Sequence, residues 1–395
     1  MKSMADSVGF DLVATATASA TAKATTTTTT TAPFEWKDSP ADTIPVFYNL
    51  YIQNASHHDR VKRIVEEQFN ELLLIHKPVY VSNIGVPLDF NDAEGGILRD
   101  GPLNTTENPV ELLGGVHGSA SELVTLRHLW DYCRDPRHRH RKVAYLHRKG
   151  SFHDTPENRN LRRFITAGTL SEACSSSMPM PSEDGGDEDE DEDGGGTTFC
   201  NVCASRFSPL PHPHTSGNMW VARCSYVWEL IDPGGFGDAM DALDYAERPS
   251  LTDPCDGKGR YAAEHRILSH PTARPCDLYK SGTFTWNHER IPAVDRFRKE
   301  TVLAAFPRFG LEAYLKPKIC PLRSTLEFRI YEYRELYDRD PPPDWWGYVF
   351  FPKDEEFVLF PHRGKKWYEL PPSVRMEAVR LGYIPQTWNN FHWHR

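Results

Sequence analysis

The sequence predicts an α/β fold, a mainly parallel sheet with helices on both faces, followed by a helical and aromatic C-terminal extension. Three observations predict it. From residue 44 to about 170, short β-branched and aromatic runs alternate with segments of helical periodicity, and strands separated by helices imply right-handed crossovers and parallel pairing. At 39% hydrophobic and 12% aromatic residues, the 395-residue chain can bury a sizeable core. Past about residue 290 Pro clusters appear, and five of the ten tryptophans fall between Trp345 and Trp393.

The elements follow in order. Ala14 to Ala32 is almost entirely Ala and Thr, with seven consecutive threonines from Thr25 to Thr31. Such a composition has nothing to bury, so residues 1–40 are predicted to be a disordered arm, either a glycosylated stem or a plain spacer. Val46 to Ile52 (VFYNLYI), behind Pro45, reads as a buried strand. His58 to Leu74 places Val61, Ile64, Val65, Phe69 and Leu72 at helical spacing. Pro78 to Ile84 (PVYVSNI) is the second predicted strand. A loop rich in Gly, Asn and Pro leads to Ser119-Ala-Ser-Glu122, a capping-box pattern, and to a helix turning Leu123, Leu126, Leu129, Trp130 and Cys133 inward. Lys142 to Leu146 is the third predicted strand, and Asn158 to Gly168 the next helix.

Residues 175–198 form an acidic, Gly-flanked insert predicted to be a flexible loop. Ser324 to Glu327 is a second capping-box pattern, after which Leu326, Ile330, Tyr333 and Tyr337 fit one helix face. Pro371-Pro372-Ser373 caps a helix from Val374 to Leu381, with Gly382 at its stop. The predicted organisation is therefore an arm (1–40), an α/β domain (41–290) carrying the insert, and an extension (291–395).

Charge excludes one class of partner. The chain carries 45 Lys and Arg against 55 Asp and Glu, a net −10, but Glu183, Asp184 and Asp187 to Asp193 hold nine of those acids. Without them the balance is 46 against 45, so neither a basic nucleic-acid face nor a generally acidic surface is expected. The one dense basic run, Arg134 to Lys142, joins a helix to a strand and reads as a solvated connection. No stretch approaches the roughly 20 apolar residues that cross a bilayer, and Met1 to Val13 lacks the pattern of a signal peptide.

Three constellations carry chemistry. The predicted third strand runs into His147-Arg148-Lys149-Gly150-Ser151, and Arg162 and Arg163 follow on the next helix. In open α/β sheets ligands bind beyond the carboxyl ends of strands, so these cations are placed either to neutralise a diphosphate or as surface residues of a loop. His214-Thr-Ser216-Gly217-Asn218-Met219-Trp220 sets small and amide residues before an aromatic strand, which permits close backbone approach to a ligand or an ordinary turn. In Arg260 to Ile267, Glu264 is a general base if it faces a pocket and an ordinary helix residue otherwise.

In their order these motifs resemble the sugar-nucleotide-dependent transferases of the GT-A type, in particular algal and other eukaryotic relatives of bacterial rhamnan synthesis protein F. The matching residues are His147, Lys149 and Gly150; Arg162; His214 with Ser216, Gly217, Asn218 and Trp220; and Glu264 before Pro271. The resemblance spans about residues 44–280, with a looser match at Phe328 to Tyr337, Trp345, Trp346 and Phe351-Pro352. Trp367 to Trp388 is similar to a short helical motif appended to many proteins of marine microalgae. Val221 stands where the eukaryotic pattern often has a second Trp.

The resemblance implies a Rossmann-like GT-A glycosyltransferase that moves a sugar from a nucleotide-diphosphate donor to a glycan or protein acceptor. It implies that Lys149, Gly150 and Arg162 bind the diphosphate, that Ser216, Gly217, Asn218 and Trp220 shape the donor-acceptor junction beside His214, and that His147 and Glu264 are catalytic. The alternative is a non-catalytic glycan- or protein-binding member of the same fold. Many GT-A enzymes hold Mn2+ or Mg2+ on an Asp-x-Asp at a strand end. No predicted strand ends that way, so no metal ligand is assigned and metal dependence stays open. Cys200 and Cys203 with His212 and His214 do not match a zinc-finger spacing; a disulfide from Cys174 to Cys200 or Cys203 is the preferred reading, and it requires an oxidising compartment. Resemblance and disulfide point to the secretory pathway or Golgi, the absent signal points away, and a cytoplasmic location stays open.

Overall fold

In the computed structural model the chain is described at residues 34–37, 39–88, 110–117, 122–149, 155–176, 178, 200–205, 207–208, 212–215, 217–243, 257–270, 272–278, 331–339, 365–372, 374–375 and 385. The predicted insert beyond Met178, the Ser119 capping position, Gly150, Ser216, Pro271 and most of the predicted extension lie outside these residues. The chain divides into two units, Met1–Lys37 and Asp38–Arg395. In the first, the rings of Phe34 and Trp36 lie 4.7 Å apart.

The second unit is organised by a seven-stranded sheet. β1 (Val46–Ile52) pairs in parallel with β2 (Val79–Gly85) on one side and β4 (Lys142–His147) on the other. β2 pairs in parallel with β3 (Val110–His117). Beyond β4 the direction changes: β8 (Trp220–Arg223) is antiparallel to both β4 and β5 (Val202–Ala204), and β9 (Pro275–Asp277) is parallel to β5. A two-stranded ribbon of β6 (Phe207–Ser208) and β7 (His214–Thr215) lies apart from this sheet. The sheet is thus mixed but mostly parallel.

β1 shows why helices cover both faces. Alternate residues of a strand face opposite sides. Val46, Tyr48, Leu50 and Ile52 join one core cluster with Val61, Val65 and Phe69 of α1 (His58–Phe69) and Leu161, Phe164 and Ile165 of α3 (Pro156–Thr169). Phe47 and Asn49 face α2 (Leu123–Arg134): the Phe47 and Tyr132 rings are 5.5 Å apart, and Thr125 Oγ1 donates to Asn49 Oδ1 at 2.9 Å. α1 stops at Phe69, short of the predicted Leu74, yet Leu72 stays buried in the following turns. Thr155 caps α3 by accepting from the Asn158 amide, and Pro156 occupies its first turn.

The predicted Gly-rich loop before α2 contains a strand. Opposite β2, the partners jump from Val81↔Leu112 to Asn83↔Val116, so extra residues including Gly114 and Gly115 bulge out of β3. The bulge interrupts the period-2 signal by which an edge strand is read. Lys142–His147 is accordingly the fourth strand, not the third.

Among the described residues three disulfides tie the unit together: Cys133–Cys224, Cys174–Cys203, which joins α4 (Glu172–Ser176) to β5, and Cys200–Cys276. The Cys174–Cys203 link is one of the two alternatives expected from the sequence. With Cys200 and Cys203 both oxidised, their thiolates are unavailable to zinc, which removes the zinc reading. Cys133–Cys224 joins α2 to α5 (Cys224–Glu229). The basic run from α2 to β4 is largely exposed, as expected of a solvated connection, with Arg134 over the rings of both Trp130 and Trp228 and Arg139 over Trp228. α6 (Pro233–Ala242), α7 (Ala262–Arg266) and the helical residues 331–337 follow, and Tyr331 and Leu336 pack on the Phe236-Met240 cluster. No described helix is long and apolar enough to cross a membrane.

Candidate functional site

Strand order locates the site. From β1 the chain passes to β2 and β3 on one side and then to β4 on the other, so the carboxyl ends of β1 and β4 flank the point where the winding reverses, the place where open α/β sheets bind ligands. β4 ends at His147, and Lys149 follows in the first turn of the loop, its amide on the His147 carbonyl at 2.9 Å.

Lys149 is the accessible cation. Its side chain is 30% exposed and its Nζ lies 3.2 Å from Oε1 of Glu264, which is 19% exposed on α7. Burial pushes the Glu264 carboxyl up, but Lys149, then His214 and His147, outweigh it and hold the group below the usual carboxylate range. Glu264 is therefore ionised at neutral pH and is the counter-ion of Lys149.

Arg162 stands behind this pair. It is 2% exposed, its Nε donates to Glu67 of α1 at 3.0 Å and its Nη1 to the Lys149 carbonyl at 3.2 Å. Arg163 shares Glu67 at 2.9 Å. Arg162 thus holds the Lys149 loop from the protein side. Gln68 works beside it: its Nε2 donates to the His147 carbonyl at 3.2 Å and to Thr166 Oγ1 at 2.9 Å, while its Oε1 accepts from Tyr48.

The Gly217-Asn218 turn forms the opposite wall. Both residues have positive φ, 81° and 50°. Gly217 is required sterically as well, since a Cβ there would sit 2.6 Å from Ile165 Cδ1 and 3.7 Å from Lys149 Cε. His147 Nε2 donates to the Gly217 carbonyl at 2.5 Å, which makes Nδ1 the unprotonated ring nitrogen. Burial lowers the pKa of His147, favouring this neutral form. Asn218 is fully buried and fully engaged: Nδ2 donates to Glu122 Oε2 and Oδ1 accepts from Trp220 Nε1, each at 3.0 Å, and its amide donates to the Thr215 carbonyl at 2.8 Å. Trp220 is also fully buried and packs on Tyr145, centroids 5.4 Å apart. Asn218 and Trp220 therefore support the wall from within. His214 is 6% exposed and donates from Nδ1 to the His212 carbonyl at 2.8 Å; burial lowers its pKa too, and its electrostatic coupling to Glu264 and Lys149 sets it beside that pair.

The structure thus gathers His147, Lys149, Glu264, His214 and Gly217 at one place, with Arg162, Asn218 and Trp220 buried behind. It adds Glu122, which sequence analysis treats as a helix-capping residue. Glu122 flanks the first turn of α2 without any side-chain cap. Its Oε2 instead accepts from Tyr145 Oη and Asn218 Nδ2, each at 3.0 Å. Burial first, then the Glu122 charge, raises the Tyr145 pKa well above the phenol range, so Tyr145 stays a donor. Two sequence signals accompany these missed residues. Tyr145 is two positions before His147 and so shares its face of β4, and Gln68 falls on the apolar stripe of α1 between Val65 and Phe69. Among the described residues no three His, Cys, Asp or Glu side chains are grouped to hold a metal ion.

A family model described as Domain of unknown function (DUF8361) matches residues 47–350. The chain belongs to this family. The DUF8361 region opens inside β1 and contains every residue of the site, from Glu67 to Glu264. No curated protein and no solved structure matches the chain.

Proposed function

We propose that this DUF8361 protein is a GT-A-type glycosyltransferase that moves a sugar from a nucleotide-diphosphate donor to a glycan or protein acceptor. The observation that carries the reading is Lys149 at the carboxyl end of β4, at the switch point of the parallel β3-β2-β1-β4 half of the sheet. In this reading the donor diphosphate displaces Glu264 and takes the Lys149 ammonium, which stabilises the charge left when the bond to the sugar breaks. Arg162, buried on Glu67, holds the Lys149 carbonyl and keeps the loop aimed. Gly217 lets the second wall approach closely, and His147 locks that wall by its bond to the Gly217 carbonyl. Carboxylates facing the site supply the acceptor for a hydroxyl proton. A divalent ion, where one takes part, would add positive charge beside Lys149 and help stabilise the leaving diphosphate.

The three disulfides support folding in an oxidising compartment, in keeping with the secretory pathway. One observation favours the second reading, a non-catalytic binder of glycan or protein: with Arg162 engaged by Glu67, Lys149 faces the diphosphate without that second cation. Thermal shift against a panel of nucleotide sugars with and without Mn2+, followed by a hydrolysis assay of each hit, separates the two. Stabilisation with turnover supports the transferase and stabilisation alone the binder. Stabilisation that survives Lys149→Ala removes the diphosphate site, and no stabilisation by any nucleotide removes the transferase reading.

A further inference from the structure

We infer that Glu122 is the carboxylate that receives the acceptor hydroxyl, and that Glu264 is the counter-ion that tunes Lys149. The inference rests on the transferase reading for its chemistry and on the geometry of two carboxylates for its choice between them. Glu264 is bonded to a fixed ammonium and stands beside two histidines, an environment that weakens a carboxylate as a proton acceptor. Glu122 has no cation within bonding distance among the described residues. Its Oε2 is saturated by Tyr145 and Asn218, two neutral donors, while its Oε1 has no hydrogen-bond partner among the described residues.

A carboxylate aimed by one oxygen with the other open is arranged to take a hydroxyl. Much of the surrounding machinery makes structural sense in that role. Asn218 is forced into the left-handed region, buried and tied to Trp220, and the one donor it presents to the site holds Glu122. His147, electrostatically coupled to Glu122, adds a second acceptor in its unprotonated Nδ1, which has no hydrogen-bond partner among the described residues. The wall therefore consists of acceptors and calls for a ligand rich in O–H donors, with its anionic end at Lys149. In the reaction, the acceptor O–H bond breaks and its proton passes to Glu122 Oε1. The hydroxyl oxygen forms a bond to the anomeric carbon, the bond from that carbon to the diphosphate oxygen breaks, and its electron pair leaves with the nucleoside diphosphate against Lys149. Direct attack of this kind inverts the anomeric centre.

Glu122→Gln tests the assignment, because the amide oxygen still accepts from Tyr145 and Asn218 while the charge is lost. Three readouts are compared in the full chain: affinity for uridine and guanosine diphosphates by calorimetry, contact with methyl glycosides by saturation-transfer NMR, and turnover of nucleotide sugars. For Glu122→Gln we expect nucleoside diphosphate affinity within about threefold of wild type, loss of the glycoside signal, and kcat lower by about 100-fold or more at unchanged donor KM. For Glu264→Gln we expect altered diphosphate affinity and kcat within about tenfold. Glu122→Gln retaining kcat, or Glu264→Gln losing it by about 100-fold, overturns the assignment and leaves the transferase reading intact. Glycoside binding that depends on Glu122 in a protein that binds no nucleotide has the opposite meaning. Wild type binding neither probe overturns both. Should Glu122→Gln fail to fold, Glu122→Asp keeps the charge but draws Oε1 back from the ligand, and the same kcat loss at unchanged donor KM is required of it.

Discussion

Replacing Gly217 by Ala tests the packing on which the site depends. The residue sits at φ 81°, a left-handed conformation that costs a residue bearing a Cβ about 1–2 kcal/mol. The new Cβ would lie 2.6 Å from Ile165 Cδ1, and Ile165 is 1% exposed and cannot move aside freely; overpacking of this kind costs about 1–3 kcal/mol. The single variant should therefore lose about 2–5 kcal/mol. Ile165→Val removes the atom that is struck and by itself costs about 1 kcal/mol. In the double variant the clash is gone and the backbone strain remains, so the two changes should couple favourably by about 1–3 kcal/mol. Equilibrium urea unfolding of the four proteins with disulfides intact, followed by both tryptophan fluorescence and far-UV circular dichroism, measures the cycle. A loss below about 0.5 kcal/mol for Gly217→Ala, or strict additivity with Ile165→Val, would refute the reasoning.

Stability should fall on acidification from pH 7 toward pH 4. Burial lowers the pKa of His76 and His270 to about 4, assisted for His270 by Arg339, and it lowers that of His147 and His214 too. The unfolded chain takes up these protons near pH 6.5 and the folded one does not, so this stability is complete above pH 6.5 and is lost as pH falls through 6.5 toward 4. Glu264, depressed below 4.5, acts in the same direction at still lower pH. His76, 1% exposed, should alone account for about 2 kcal/mol by pH 5, and a Tm that is flat from pH 7 to 5 would contradict its burial as a neutral ring. Glu67→Gln should cost about 2–3 kcal/mol, because Arg162 is left buried without its counter-charge; denaturation with an unchanged midpoint would show that Glu67 carries no such role. Non-reduced peptide mapping should recover Cys133–Cys224, Cys174–Cys203 and Cys200–Cys276. Removing the first pair by a double Ala substitution should lower stability by about 3–5 kcal/mol, since it closes a loop of 91 residues.

How much was legible depended on whether a signal was local. β1, β2 and β4 announce themselves because Val46–Ile52, Val79–Gly85 and Lys142–His147 are compact β-branched and aromatic runs, and the alternation with α1, α2 and α3 is enough to require parallel pairing. β3 was hidden by its own bulge. The antiparallel insertion of β8 between β4 and β5 was hidden too, because sheet order is a choice among distant partners that periodicity does not record. At the site, His147 and Lys149 were readable from their place after a strand. Glu122 was not, since a Glu three residues after a Ser before an apolar run has the same local pattern whether it caps the helix or turns away to Tyr145 and Asn218.

By itself, then, the sequence determined the α/β class, the main helices and strands, the neutrality of the chain outside its acidic run, and the place of His147 and Lys149 at a strand's end. These follow from period, composition and strand-end position, which are properties of neighbouring residues. Only the tertiary structure decided which of two cysteines Cys174 joins, that Cys133 joins Cys224 across 91 residues, that Arg162 belongs to Glu67, and that Glu122 faces the site. Each of these is a pairing of polar or sulfur groups far apart in the chain. Burial forces such groups to find a partner, but only the packed fold determines which partner is within reach.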